Sequence, residues 1–540
     1  MQDIKRQESL ITHAQRNAQE SVPETLNVVA ETEQGPMIHT VDHTETGLCP
    51  PTDTMKVDKP DEMLSAEDVI RKVGNELNLN EKQWVAFKII ARSFIREHVE
   101  GIKSDSEPLR MLMTGPGGTG KTHVVKAVQQ VMEHYGCAHK IRFLAPTGSA
   151  ATLIDGMTIH KGLGIKIKSK EKGKGNRKLG NSIEDYTVVI SIQNRTQLRD
   201  EWRDVVILLV DECSLVSCEL LSELDSALRF AKERGDEWFG GITVIFAGDF
   251  YQYPPVAGTA LYTPISAYSN QSNEEIGKRL GRMAWKTVNS VVSLTEQERM
   301  KGDPEYGAAV QRLRIRECTF EDVELFNSRV IKSATKEDGV DMGEPCHFAA
   351  AAIVRTNLLR ETLNLRKAQA NTDLHNPLIL CAALDQCTDK QLNCHEREQL
   401  LNLNLTSSKI QNALPGFVPL YVGMPVVLRT KNISTDLGIT NGSQGIVRQI
   451  YTSICQQGLT YCTMAMVEFP DSKVHLSGLP KGYFPILPVK WTFTTQITTD
   501  DITITVHIAR KQLPIQPAFA VTGHSAQGKT LPSVLVNLHE

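Results

Sequence analysis

The chain has 540 residues, of which 41% are hydrophobic and 23% charged. That is too long for one core, so two or three domains are expected, and the balance excludes a wholly disordered or collagen-like chain. The formal net charge of -4 means that any nucleic-acid partner must be held by a local basic surface, because the whole molecule has no positive field. The 11 cysteines contain no CxxC pair, so reduced thiols are the simplest reading, and the spacing of Cys381, Cys387, Cys394 and His395 does not fit a zinc ribbon. The start MQDIKRQESL has no apolar stretch of signal-peptide length, and no segment approaches the roughly 20 apolar residues of a membrane span, so a soluble protein without a membrane partner is expected.

Residues 1–60 are rich in Gln, Glu, Thr and Pro with few clustered apolar residues, the composition of a disordered tail. A first helix is expected from Ser65 and a second from Asn80, where Trp84, Phe87, Ile90, Ala91 and Phe94 recur at helical spacing. From Pro108 to about Leu294 apolar runs (LRMLMT, KIRFLAP, DVVILLVDE, ITVIFAGD) alternate with helical stretches. Continuous apolar runs suit parallel strands covered on both faces, and each ends in a polar or glycine-containing loop where such sheets bind ligands. Residues 161–180 carry eight Lys or Arg against one Glu; this basic insertion, taken as 161–185, reads equally as a solvated loop or as a DNA-facing finger. Residues 305–400 look helical, and after about 415 the pattern turns to strands, with Asn441-Gly442 reading as a type I′ hairpin turn.

GPGGTGKT at 115–122 follows the first strand and opens an apolar helix, the context that a phosphate-binding loop requires. Gly115, Pro116, Gly117, Gly118, Thr119 and Gly120 would curl backbone N–H groups round phosphates, Lys121 would reach the β and γ oxygens, and Thr122 would offer a hydroxyl to Mg²⁺. Asp211 and Glu212 end the most apolar strand. There Asp211 suits a metal carboxylate and Glu212 a general base, the competing reading being a helix cap by Asp211 or Ser214. Gln252, in GDFYQYPPV, stands where an amide can sense a γ-phosphate or orient water, unless the segment is only a Pro-stiffened turn. Gln83 suits the adenine edge, yet Asn80-x-x-Gln83 is also a helix capping box, and the two roles are compatible.

These segments in this order resemble the petite-integration-frequency (Pif-type) helicases, a RecD-like group of superfamily 1, over roughly residues 75–540. The motifs are LNEKQ, GPGGTGKT, APTGSAA at 145–151, TIH at 158–160, VDECS at 210–214, GDFYQYPPV, LTEQERM at 294–300 and TGHSAQGKT at 522–530. LTEQERM and GITNGSQGIV at 438–447 are more similar to the helicase portion of eukaryotic Helitron transposons. The resemblance implies an α/β fold: two RecA-like P-loop domains with a small β-barrel (SH3-like) insertion in the second. The expected division is 61–295 for the first domain, 296–420 and 511–540 for an incomplete second, and 421–510 for the insertion. It further implies a monomeric 5′-to-3′ motor using ATP and Mg²⁺ on single-stranded DNA and at junctions between duplex and single strands, in DNA repair, recombination, telomere maintenance or transposition. The nucleus is the implied location, with the mitochondrion as an alternative.

By motif position Arg299 would be an arginine finger reaching the γ-phosphate from the second domain. Thr147, His160, Thr522 and His524 would contact the DNA strand, and Gln527 and Gly528 would link the nucleotide cleft to the DNA groove. Two departures stand out: Ser525 replaces a Lys common in relatives, and a final Ser-Arg element is expected to lie beyond Glu540. A truncated remnant that binds nucleotide and DNA but turns over poorly is therefore the alternative function, and a P-loop nucleotide kinase a weaker third.

Overall fold

The computed structural model describes residues 65–102, 107–165, 192–256, 258–265, 272–331, 351–373, 375–387, 390–403, 413–429, 433–434, 437–455, 458–499, 502–528, 531 and 533–537. The tail at 1–60 and most of the basic insertion lie outside the described residues.

The two expected N-terminal helices form where their caps stand. Ser65 Oγ accepts the Asp68 N–H to start Ala66–Glu76, and Asn80 and Gln83 close a reciprocal capping box at the head of Glu81–Phe94. Ala86, Phe87, Ile90, Ala91 and Phe94 are buried on one stripe of that second helix, against one face of a parallel sheet.

That sheet contains β1 (Arg110–Thr114), β2 (Ile141–Ala145), β3 (Met157–Thr158), β4 (Ile207–Val210), β5 (Thr243–Gly248) and β6 (Ser290–Ser293), ordered β3-β2-β4-β5-β1-β6 with every pair parallel. Its apolar runs are continuous because both faces are covered. Met111, Ile207, Leu209, Ile245 and Ala247 belong to the core on one face, while Leu208, Val210, Val244 and Phe246 belong to the core on the other. Each fully buried Leu, Ile or Phe side chain contributes on the order of 1.5–3 kcal/mol.

Beyond residue 350 the strands are β7 (Ala351–Val354), β8 (Ile379–Ala382), β9 (Leu384–Cys387), β10 (Phe417–Leu420), β11 (Pro425–Leu428), β12 (Gln444–Ile454), β13 (Thr460–Glu468), β14 (Tyr483–Ile486), β15 (Val489–Thr499), β16 (Ile502–Gln512), β17 (Ile515–Pro517), β18 (Ala520–Thr522) and β19 (Val534–Val536). Only β18, β7 and β19 are parallel, in that order. Asn364, from helix Asn357–Ala370, pins β18 like an extra strand: its Oδ1 accepts the Ala520 N–H at 2.7 Å and its Nδ2 donates to Ala520 O at 3.1 Å. The remaining strands form antiparallel sheets in the orders β14-β13-β12-β11-β17, β15-β16-β9 and β10-β8.

Three features differ from expectation. Strands occupy 379–387 inside the stretch expected to be helical, and the antiparallel region runs from Ile379 to Pro517 rather than over 421–510. The cause is long-range: β9 pairs with β16, and the buried Asp385 carboxylate takes a bidentate hydrogen bond, both arms 2.7 Å, from the fully buried Arg510. Second, Asn441-Gly442 is not a type I′ turn. Among this pair only Gly442 has positive φ, 95°, and the Ser443 N–H bonds to Thr440 O within a longer connection between β11 and β12. Third, residues 296–315 attach to the first parallel sheet: the chain leaves β6 straight over the 115–120 loop, and Arg314 of helix Pro304–Ile315 pairs with Asp249 at 2.5 Å.

Candidate nucleotide and DNA site

The 115–120 loop links β1 to helix Lys121–His134 and needs glycine at specific points. Gly118 and Gly120 have φ of 89° and 80°, and a Cβ on Gly118 would stand 2.7 Å from Arg299 Cβ. Lys121 Nζ donates to Gly115 O at 2.8 Å and Pro116 O at 3.0 Å, so the ammonium is held inside the loop. Burial lowers its pKa, opposed by the charges of Asp211, Asp249 and Glu212 around it. Thr119 Oγ1 donates to Pro116 O, and Thr122 is half-buried at the first turn of the helix.

Gln83 is buried, with its Oε1 accepting the Asn80 N–H and its Nε2 donating to Thr119 O at 3.1 Å. The capping-box reading of this residue is thus present, and the same amide ties the capped helix to the phosphate loop.

At the end of β4, Asp211 Oδ1 accepts the Glu212 N–H at 2.9 Å, and Glu212 sits in the left-handed region with φ 50°. Burial first, and then the Glu212 charge, push the Asp211 carboxyl up to about 6. A carboxylate so desolvated, with the Lys121 charge acting on it, fits a divalent cation, whose charge would relieve the penalty. At the end of β5, the Gln252 N–H bonds to Asp249 O, Gln252 Nε2 is 3.6 Å from where a Cβ on Gly117 would stand, and Gln252 Oε1 is buried with no partner among the described residues. An orphaned acceptor above a phosphate loop is a polar group poised for a ligand or water.

Arg299 reaches the loop by a different route from the one expected. It comes from the segment after β6 of the first sheet, not from the second domain. Glu298 donates its N–H to Gly118 O at 3.0 Å and Gln297 Nε2 donates to Gly117 O at 2.9 Å, so residues 297–299 form a strap across the loop. Sequence reasoning missed Gln297, whose Oε1 is also buried without a partner among the described residues; its position inside LTEQERM was the available signal. Arg314 was missed too, since nothing local marks its pairing with Asp249 or its place 4.2 Å over the Tyr251 ring.

Two of the expected linking residues are brought to the cleft. Gln527 Nε2 donates to Glu212 Oε2 at 3.0 Å, and a Cβ on Gly528 would lie 3.3 Å from Glu212 Oε1. The four strand-contact candidates all stand at or just past the carboxyl ends of parallel strands, Thr147 after β2, His160 after β3, Thr522 ending β18 and His524 after it. Thr147 uses its hydroxyl as a helix cap, accepting from the Ala150 N–H at 3.2 Å. His160 is half-buried, and burial lowers its pKa. Thr522 Oγ1 and Ser525 Oγ are 3.0 Å apart, and the His524 ring stacks on Tyr253 with centroids 4.0 Å apart. Tyr253, unflagged by the sequence, thereby joins the two parallel sheets. A further link is the contact of Lys473 with Asp155, between the antiparallel region and the segment after β2.

Among the described residues no helix is long and apolar enough to cross a membrane. Residues 78–312 match the family model described as PIF1-like helicase. The chain is 24% identical over 429 residues to the ATP-dependent DNA helicase PIF1 of Xenopus laevis, covering 79% of this chain and 54% of that protein. The chain therefore spans about half the length of the curated relatives it matches. Its fold is similar to the crystal structure of Pif1 helicase from Candida albicans, with a TM-score of 0.53, 22% identity and coverage of 85% of this chain and 88% of the other. It is also similar to Bacteroides Pif1 bound to ssDNA, with a TM-score of 0.51, 19% identity and coverage of 85% of each chain. Residues 78–312 thus resemble the PIF1-like helicases in sequence, and the α/β fold with its parallel sheets resembles the RecA-like architecture of the Pif1 structures.

Proposed function

We propose that the chain is an ATP-driven DNA motor that moves 5′ to 3′ along single-stranded DNA and separates duplexes at junctions. The observation that carries this reading is the meeting of Lys121, Glu212, Gln252 and the Gln297–Arg299 strap around one glycine loop, with Gln527 of the second parallel sheet bonded to Glu212. The family match and the relatives' names, ATP-dependent DNA helicase, support it, as does the fold shared with a Pif1 bound to ssDNA.

In this reading the loop N–H groups and Lys121 hold the triphosphate, and the Lys121 ammonium leaves the Gly115 and Pro116 carbonyls for the phosphate oxygens. Thr122 and Asp211 would hold Mg²⁺, which when bound offsets phosphate charge. Glu212 takes the proton from the attacking water, Gln252 orients that water, and Arg299 stabilises charge on the transferring phosphate. Because Glu212 is bonded to Gln527, a shift of the second sheet on the DNA strand changes the surroundings of the general base, which is the coupling a motor needs.

The test is phosphate release by the purified chain with and without oligothymidylate. Stimulation by the oligonucleotide that disappears in Lys121→Ala supports the motor; a rate equal in the variant and the parent removes it.

A further inference from the structure

A small solvent-open cavity lies between the antiparallel region and the second parallel sheet, lined by Arg429, Asn441, Gly442, Gln516, Val521 and Ser525. Arg429 follows β11, and its backbone N–H bonds to Pro514 O at 2.6 Å. Its guanidinium makes no hydrogen bond or ion pair among the described residues. Close by, Arg360 is buried: it bonds to Asn357 Oδ1 at 2.7 Å and Glu361 Oε1 at 3.0 Å, while its Nε is buried without a partner among the described residues. The balance of this corner is two guanidiniums against one carboxylate. Burial first, and then the Arg360 charge, lower the Arg429 pKa to about 10, so it remains ionised at neutral pH. Arg429 is half-buried and the nearby Glu361 carboxylate is already engaged by Arg360, so an anion entering the cavity would offset the excess positive charge.

We infer that the Arg429 cavity is a binding site for a phosphate-type oxyanion, supplied by a phosphodiester of the DNA strand. The guanidinium fork matches two oxygens of such a group, and the Ser525 hydroxyl stands at the same wall. The strand is the favoured source because Val521 and Ser525, which line the cavity, bracket Thr522 and His524. This inference rests on the motor reading for its ligand, but its chemistry does not depend on turnover.

The experiment compares the full chain with Arg429→Gln and Arg429→Lys in two arms. In the first, affinity for labelled oligothymidylate is measured over a salt series. Arg429→Gln should bind more weakly and lower the slope of log K against log salt by about 0.7, the loss of one single-strand phosphate contact. Arg429→Lys keeps the charge and loses the fork, so its slope should stay near the parent's while affinity falls severalfold; it is the variant to read should Arg429→Gln not fold. In the second arm, the thermal midpoint is measured with inorganic phosphate. If phosphate raises the parent's midpoint but not the variant's while the oligonucleotide slope is unchanged, the oxyanion is free phosphate and the DNA source is overturned. Unchanged behaviour in both arms overturns the site. A parent that binds no oligonucleotide defeats the motor reading instead, and leaves the phosphate arm to judge the cavity.

Discussion

Gln527 Nε2 lies 3.0 Å from Glu212 Oε2, although 315 residues of chain separate the two. One residue follows a strand of the first parallel sheet and the other a strand of the second, so the bond reads their relative position directly at Glu212, the residue we propose as general base. Gln527→Ala should therefore reduce the stimulation of ATP hydrolysis by oligothymidylate by about tenfold, the scale of roughly 1.4 kcal/mol of lost coupling. Phosphate-release rates with and without DNA check this, and an undiminished ratio would mean that the contact carries no coupling.

Gly118→Ala attacks the strap. The new Cβ would stand 2.7 Å from Arg299 Cβ and 2.8 Å from Gln297 Oε1, at a backbone φ of 89° that alanine rarely adopts. Nucleotide affinity should fall by at least about tenfold, since strain of this kind costs on the order of 1–3 kcal/mol. Titration with a fluorescent ATP analogue measures it; unchanged affinity would show that the strap does not shape the loop.

Asp211 gives a pH signature. Its carboxyl titrates near 6 in the fold, against 3.8 unperturbed. A raised folded pKa adds stability that is fully present below about 3.8 and lost as pH rises through about 6. Without metal or nucleotide, Asp211→Asn should thus stabilise the fold at pH 8 by up to about 3 kcal/mol and change it little at pH 4, while abolishing hydrolysis. Thermal midpoints at the two pH values decide it, and an equal shift at both would contradict the assignment.

Arg510 and Asp385 form the one described ion pair in which both partners are essentially enclosed, at 0% and 2% side-chain exposure. Arg510→Met would leave the Asp385 charge buried and uncompensated, and should destabilise the antiparallel region by about 3–5 kcal/mol in denaturant unfolding. Double replacement of both residues by apolar ones should recover most of that loss. By contrast, Lys473→Ala at the exposed contact with Asp155 should shift stability by less than about 1 kcal/mol.

The legible parts of this molecule are those encoded by neighbours in sequence. Ser65 and Asn80 marked helix starts through capping chemistry, the four apolar runs became β1, β2, β4 and β5, and the glycine loop was fixed by its place between strand and helix. The cleft around Lys121, Glu212, Gln252 and Arg299 followed from motif order. What escaped depends on distant pairing. The strands β8 and β9 are short and gain their identity from β10 and β16, more than 30 residues away. The delivery of Arg299 from β6, the stacking of His524 on Tyr253 and the grip of Arg314 on Asp249 are set by how the sheets meet, which no local period records. Asn441-Gly442 misled because a frequent two-residue turn signal sits inside a longer connection.

The most direct test of the proposed motor is Glu212→Gln, which keeps the shape of the side chain and removes the carboxylate proposed as base. The account predicts ATP binding within about threefold of the parent and single-strand-stimulated phosphate release reduced by at least about 10², the usual contribution of a positioned general base. Turnover at the parental rate in a variant that still binds ATP and oligothymidylate would contradict it.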